Sequence, residues 1–207
     1  MRESAGLVSS PPMKLKLAAF AITAAAMLVA CGKESSPSAA APSAPVAQEQ
    51  ITIEAIQSQA QGFTVGQAMS ARTVYVFFDA QCPHCGTLWY AAKPLLTQAK
   101  FVWIPVRLIN DASESQGAAI LAAKDPAATM DEHEASLMDR KGGLSASGDL
   151  AAQRAAIKKN TELFNKFGLA SVPSLVTKTQ SGAVVKNEGA MQTPQLAAFI
   201  GAPTAAK

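Results

Sequence analysis

The chain has 207 residues, of which 49% are hydrophobic and 16% charged, and its formal net charge is +3. This length fits one domain with some additional chain, and the balanced charge excludes a protein that holds nucleic acid mainly through a basic surface. High hydrophobicity with low net charge excludes a largely disordered chain, and three cysteines are too few for a disulfide-rich mini-protein. No apolar run reaches the roughly 18 residues that a permanent membrane span requires.

The N-terminus has the pattern of an export signal. Lys14 and Lys16 form a basic segment, and residues 17–30 are almost entirely apolar. A stretch of this length is typical of the hydrophobic region of a signal peptide and is too short to cross a bilayer. We therefore interpret residues 1–30 as a signal peptide, with translation starting at Met13 because the preceding residues fit neither region.

The residues around Cys31 resemble the cleavage site of bacterial lipoproteins. The sequence Leu-Val-Ala-Cys ends at Cys31, so the resemblance implies cleavage before this residue and lipidation of its thiol and amino terminus. Gly32 follows in place of the Asp that marks retention in the inner membrane, which favours an outer-membrane anchor. A plain signal peptide with an incidental cysteine is the alternative. Residues 31–48 are rich in Ser, Ala and Pro and predict a flexible linker to a folded domain at 49–207.

The first half of this domain predicts a strand–helix–strand unit. Residues 73–78 are β-branched or aromatic on both faces, which is typical of a buried central strand. Pro83 suits the first turn of a helix, and Pro105 favours an edge position or a bulge for the second strand. The predicted elements are a short helix at 52–60, a strand at 73–78, a helix from Pro83 to Lys100 with a kink at Pro94, and a strand at 101–109.

The second half predicts helices followed by a hairpin. Asp125-Pro126 is a helix cap with a first-turn proline, and Gly168 is a helix stop. The predicted elements are helices at 117–124, 129–140 and 149–167, two strands at 174–179 and 183–186, and a final helix at 193–200. This order of elements predicts an α/β domain with a helical insertion.

The candidate chemistry lies at Cys82-Pro83-His84-Cys85, directly after the predicted buried strand. A C-x-x-C motif that opens a helix is the arrangement of redox proteins. Cys82 would face unpaired N–H groups and the positive end of the helix dipole, which favour the thiolate that attacks disulfides. We expect Cys85, one turn later, to resolve the mixed disulfide. His84 is expected to stabilise the thiolate, and Pro83 to keep the two sulfurs close.

Other interpretations of these residues have less support. A zinc site would need a second pair of ligands, and no second C-x-x-C exists. A purely structural disulfide here would close a very short loop, which removes little chain entropy. We interpret His133, with the glutamates on either side of it, as part of a solvated helix face rather than a metal site. Asp79 is placed either to relay protons to Cys85 or to cap the following helix.

Two segments resemble the family of DsbG and DsbC, the periplasmic thiol:disulfide interchange proteins. They are V-Y-V-F-F-D-A-Q-C-P-H-C at 74–85 and G-A-A-I-L-A-A-K-D-P-A-A-T-M-D-E-H-E at 117–134, and the resemblance extends from about Arg72 to Ile200. It implies a thioredoxin-like fold with a helical insertion at about 112–167, between the second core strand and the strand that follows a cis-proline.

The resemblance also identifies Val172-Pro173 as the cis-proline loop. Pro173 lies 88 residues after Cys85, a separation that suits a thioredoxin fold with an insertion. In this fold the loop packs beside the active-site cysteines and shapes the substrate groove. Val172 is then free to pair with an extended substrate strand.

Two features depart from the family pattern. Residues 49–71 are too few for the N-terminal dimerisation domain of DsbG and DsbC, so we expect a monomer. The combination of Pro83-His84 with Val172-Pro173 resembles the dithiol oxidase DsbA more than the isomerases. Such a histidine favours the reduced thiolate and makes the disulfide a strong oxidant.

From these residues we expect an enzyme for thiol:disulfide interchange, as isomerase, reductase or oxidase, on exported proteins in the bacterial periplasm. The redox-active Cys82–Cys85 pair would serve in place of a cofactor, with no metal. A membrane redox partner of the DsbD or DsbB type would maintain its redox state. A DsbA-like oxidase is the first alternative, and a non-catalytic lipoprotein that acts as a binding module or chaperone is the second.

Overall fold

The computed structural model describes residues 49–203. The predicted signal peptide, lipidation site and linker lie outside the described residues. The described helices are α1 (Ile53–Gln59), α2 (Pro83–Ala92), α3 (Asp111–Ala122), α4 (Pro126–Met138), α5 (Ala151–Lys166) and α6 (Thr193–Phe199). The described strands are β1 (Phe63–Gly66), β2 (Thr73–Phe78), β3 (Lys100–Pro105), β4 (Ser174–Lys178) and β5 (Val184–Glu188). No helix in this range is long and apolar enough to cross a membrane.

The strands form one mixed sheet with the order β1-β3-β2-β4-β5. Strands β2 and β3 are parallel, and α2 connects them, since parallel neighbours need a crossover. The other neighbouring strands are antiparallel. The parallel pairing aligns Phe78 with Pro105, so both strands end at the same edge, where the C-x-x-C motif begins.

The centre of the sheet is covered on both faces. Along β2, alternate side chains point to opposite faces, as the pleat requires. Val74, Val76 and Phe78 pack in the core cluster that contains residues of α2 and α6. Tyr75 and Phe77 pack in a second cluster with residues of α1 and α5. The prediction of a buried central strand at 73–78 is therefore confirmed.

Two of the sequence predictions need correction. The helix from Pro83 ends at Ala92 rather than Lys100, because a 3-10 turn over Lys93–Leu95 replaces it at the predicted kink. Strand β3 is internal, not an edge strand. Pro105 is tolerated in β3 because the antiparallel pairing with β1 ends at Trp103. Beyond this residue, no described antiparallel neighbour requires an N–H donor from β3.

The remaining differences concern short or weakly patterned segments. Strand β1 has four residues and was not predicted. Helix α3 begins at Asp111, six residues before the predicted start, because Asn110 caps it through the backbone N–H of Ser113. Helices α3, α4 and α5 lie between β3 and β4, which confirms the predicted insertion.

Candidate active site

Cys82 and Cys85 lie at the N-terminus of α2. Cys82 is the N-cap residue and Pro83 the first residue of the helix. The backbone N–H of Cys85 donates to the carbonyl of Cys82 at 3.0 Å, which turns both side chains to the same end of the helix. Both thiols are free, with Cys82 5% exposed and Cys85 fully buried. An incoming disulfide therefore meets Cys82 first.

The two thiols have opposite pKa shifts. The pKa of Cys82 is lowered from 9.0 to about 6, first by a hydrogen bond from the Cys85 side chain and then by the backbone N–H groups of Cys85 and His84. The charge of His84 contributes less than these groups. The pKa of Cys85 is raised well above 9.0, mainly by burial and then by Cys82. At neutral pH the pair therefore holds one thiolate, at Cys82, and one thiol.

The loop before β4 faces Cys82. The peptide bond between Val172 and Pro173 is cis, as the sequence analysis expects. The carbonyl oxygen of Val172 lies 3.6 Å from the sulfur of Cys82. An extended chain that pairs with this loop would therefore lie against the reactive sulfur.

Glu188 of β5 holds this loop in place. One carboxylate oxygen accepts hydrogen bonds from the backbone N–H groups of Ala170 at 2.9 Å and Ser171 at 3.1 Å. The other oxygen pairs with Lys186 at 2.8 Å. Directly after the strand, the N–H of Gly189 donates to the carbonyl of Pro173 at 2.8 Å. The end of β5 thus fixes the backbone on both sides of Val172.

Asp79 is fully buried at the turn before Cys82. Its carboxylate accepts from the backbone N–H groups of Gln81 at 2.8 Å, Leu108 at 2.7 Å and Ile109 at 3.1 Å. It therefore ties the turn after β2 to the segment after β3. It does not cap α2, since none of these three N–H groups belongs to that helix. Its role as a proton relay stays a prediction.

His133 and Glu134 are not on a solvated helix face, so that prediction was wrong. His133 is fully buried, and its Nε2 lies 2.6 Å from the carbonyl oxygen of Ala80. The N–H of Leu144 donates to its Nδ1 at 3.2 Å, which places the proton of a neutral imidazole on Nε2. Burial lowers the pKa of His133. The imidazole thereby connects the turn before Cys82 to α4 and the segment that follows it.

Glu134 lies beside the cysteine pair. It is 2% exposed, and its carboxylate fills the space where a side chain at Gly86 would stand. Its Oε1 has no hydrogen-bond partner among the described residues. Burial and the charge of Cys82 raise its pKa to about 8. A mostly neutral carboxyl group is therefore held next to the residue that follows Cys85.

The chain is similar to two curated thiol:disulfide interchange proteins named DsbG. It is 34% identical to that of Pseudomonas aeruginosa over 142 residues, which are 66% of this chain and 54% of the relative. It is 34% identical to that of Escherichia coli K12 over 104 residues, which are 49% of this chain and 42% of the relative. The chain is a DsbG-like protein with a thioredoxin fold. It spans about half the length of the relatives it matches.

Solved structures support this fold. Proteus mirabilis ScsC in a transitional conformation has a TM-score of 0.57 at 18% identity, covering 74% of this chain and 80% of that chain. The thiol-disulfide exchange protein α-DsbA2 of Wolbachia pipientis has a TM-score of 0.57 at 19% identity, covering 72% of this chain and 92% of that chain. No known family profile matches the chain. The predicted thioredoxin-like fold is therefore confirmed.

In this DsbG-like domain, the structure brings together Cys82, Cys85 and Val172, which the sequence analysis had selected. Glu134 and Glu188 were not selected. One signal for Glu134 was available in Gly86. Glycine within a helix lowers stability relative to alanine, so its presence directly after the C-x-x-C indicates that another group occupies the space of its side chain. For Glu188 we find no such signal, because its partners are backbone N–H groups brought near by sheet pairing.

Proposed function

We propose that this protein catalyses thiol:disulfide interchange on exported proteins through its Cys82–Cys85 pair. The observation that carries the proposal is the division of the pair into a thiolate at the slightly exposed Cys82 and a thiol at the fully buried Cys85. A nucleophile of low pKa paired with a protonated resolving group is what a dithiol exchange reaction needs. The pair itself would be the redox group, without an organic cofactor or a metal.

The reaction would proceed in two exchanges. The Cys82 thiolate attacks one sulfur of a substrate disulfide, a Cys82–substrate disulfide forms, and the other substrate sulfur leaves as a thiolate. Cys85 then attacks the sulfur of Cys82, the mixed disulfide breaks, and the second substrate sulfur leaves. The proton lost by Cys85 ends on a departing sulfur. Two electrons have moved from the pair to the substrate, and the reverse sequence would oxidise a substrate dithiol.

The lowered pKa of Cys82 favours net oxidation as the direction. Interactions that stabilise the thiolate stabilise the reduced pair, which makes the disulfide form more oxidising. A DsbA-like oxidase is therefore our second, more specific candidate. An isomerase or reductase would instead need an electron-donating membrane partner to keep Cys82 reduced.

Acid-quenched alkylation in intact cells separates these directions. Trapping the thiols of Cys82 and Cys85 at steady state shows whether the pair is oxidised or reduced. A mostly oxidised pair supports an oxidase with a reoxidising partner. A mostly reduced pair contradicts the oxidase and supports an isomerase or reductase.

The periplasm is the proposed compartment, and a lipid on Cys31 the proposed anchor. Support comes from the signal-like residues 1–30 and the lipoprotein-like sequence at Cys31. Labelling cells with a radioactive fatty acid tests the anchor. We expect label on the wild type and none on the Cys31→Ser variant, and label that persists on the variant would contradict the proposal.

The exchange reaction is tested with two variants of the full mature chain. We expect Cys82→Ser to abolish disulfide exchange, and Cys85→Ser to accumulate a mixed disulfide with substrate. Full activity of Cys82→Ser would disprove the mechanism. If the protein is instead a binding module or chaperone, the double variant Cys82→Ala/Cys85→Ala would keep client binding and phenotype unchanged.

A further inference from the structure

A cavity of about 560 Å³ lies against α2, immediately beside the cysteine pair. It begins at the residues that adjoin Cys82 and Cys85 and continues between α4 and the start of α6. Its lining residues are Gln81, Pro83, Gly86, Thr87, Tyr90, Ala91, Glu134, Leu137, Met138, Gln192 and Thr193. Met138 is 64% exposed, so the cavity has an apolar edge open to solvent.

The cavity contains one acidic group and no basic one among its described lining residues. That group is Glu134, whose Oε1 accepts no hydrogen bond from any residue in 49–203. A buried acceptor without a donor is unfavourable, and native proteins satisfy nearly all such groups. Glu134 therefore lines the cavity with one of its carboxyl oxygens unsatisfied.

The charges around Glu134 favour a positively charged donor. From α2, the Cys82 thiolate repels the carboxylate. From the 3-10 turn after α2, Lys93 lies against the ring of Tyr90, but it is paired with Asp131 of α4. The neighbouring His133 is neutral in its pairing with Ala80 and Leu144. No cation among the described residues thus balances Glu134. A cation that enters the cavity would be attracted by the Cys82 thiolate and would favour the ionised form of the Glu134 carboxyl group, which is mostly neutral without it.

We propose that this cavity binds a lysine or arginine side chain of the protein substrate, close in sequence to the reacting cysteine, with Glu134 as its counter-charge. Leu137, Met138 and Tyr90 provide apolar surface for the methylene stem of such a side chain. An extended chain rises about 3.3 Å per residue, so a residue next to a cysteine bound at Cys82 can reach a cavity that starts at Pro83. The inference rests on the proposed exchange reaction and adds its substrate preference.

The contact would be strongest at the mixed-disulfide stage. Once Cys82 is bonded to the substrate, its sulfur no longer carries a charge. The repulsion that disfavours the Glu134 carboxylate is then removed, so the ion pair with the substrate forms more readily. The cavity would therefore hold the substrate during the interval in which Cys85 attacks.

The test compares disulfide-containing peptides that differ only at the residue next to the reacting cysteine: lysine, norleucine or glutamate. We would measure kcat/KM for exchange at neutral pH with the wild type, Glu134→Gln and the matched control Glu132→Gln, which removes an exposed carboxylate from the same helix. We expect the wild type and the control to prefer the lysine peptide over the norleucine peptide by about tenfold, with the glutamate peptide slowest, since a hydrogen bond to a charged group supports discrimination of this size. In Glu134→Gln the preference for the lysine peptide over the norleucine peptide should fall to about twofold or less.

A second variant avoids changing Glu134. Thr87 is exposed and lines the cavity, so Thr87→Lys places a cation inside it and should remove the lysine preference by competition. Equal rates for the three peptides with the wild type, or a lysine preference that persists in both variants, would overturn the proposal. Failure of the exchange reaction itself is distinguishable, because Cys82→Ser would then react with every peptide as fast as the wild type does.

Discussion

The carboxylate of Glu134 occupies the space that a side chain at residue 86 would need. Glu134 belongs to the helical insertion and Gly86 to the first turn of α2, directly after Cys85. The absence of a side chain at Gly86 is what lets α4 pack its acidic residue against the redox pair. The helical insertion is therefore part of the candidate active site rather than an independent addition to the thioredoxin-like fold.

A side chain at position 86 should destabilise the protein. In Gly86→Ala the new methyl group overlaps the carboxyl group of Glu134, and overpacking of this kind costs about 1–3 kcal/mol. Denaturant unfolding would measure the loss, with Thr87→Ala on the same helix as a control at an exposed site. The double variant Gly86→Ala/Glu134→Ala should be more stable than the sum of the single effects predicts. Additive effects would contradict the contact.

Removing the Cys85 thiol should raise the pKa of Cys82. The largest cause of the lowered value, about 6, is the hydrogen bond from Cys85. A hydrogen bond to a charged group contributes about 1.5–3 kcal/mol, so Cys85→Ala should shift the titration upward by at least about one pH unit. Thiolate absorbance or the pH dependence of alkylation would measure it. Titration of the wild type near 9, or an unchanged midpoint in the variant, would contradict the assignment.

Loss of the Glu188 carboxylate should impair exchange through the loop at Val172. Without its bonds to Ala170 and Ser171 the loop is less well fixed opposite Cys82, so kcat/KM for peptide substrates should fall about tenfold in Glu188→Ala. Glu188→Gln keeps an acceptor oxygen and should recover part of the rate. Lys186→Ala is the control, since it removes only the surface ion pair. An equal loss in the control would refute this role.

Stability should fall in acid because of His133. Its folded-state pKa is lowered from 6.5 by burial, so the unfolded chain binds the extra proton more readily. The contribution of His133 to the free energy of unfolding is complete above pH 6.5 and is lost as the pH falls through the pKa of His133 in the folded state. Protonation also prevents Nδ1 from accepting the hydrogen bond from Leu144. Unfolding free energies across this range should fall more steeply for the wild type than for His133→Asn, and parallel curves would disprove the effect.

Local sequence determined the parts of the site that follow one another along the chain. The apolar run at 73–78, Pro83 at a helix start and the C-x-x-C between them predict a buried strand that delivers two cysteines to a helix N-terminus. Strand alternation and helix capping act over a few residues, so their signals are visible in the sequence. The strand at 73–78, the start of α2 and the hairpin of β4 and β5 all agree with the structure.

Only the tertiary structure decided which distant groups surround these cysteines. From the sequence, Glu134 and His133 look like solvated residues, because acidic side chains are rarely fully buried. They are buried because α4 packs on α2. About 50 residues of chain separate the contacting positions, and the sequence pattern of neither helix encodes this contact. Glu188 is drawn to the loop at Val172 by the pairing of β4 with β5. The electrostatics of the site come from this packing, since burial and contact distance set the energy of each charge.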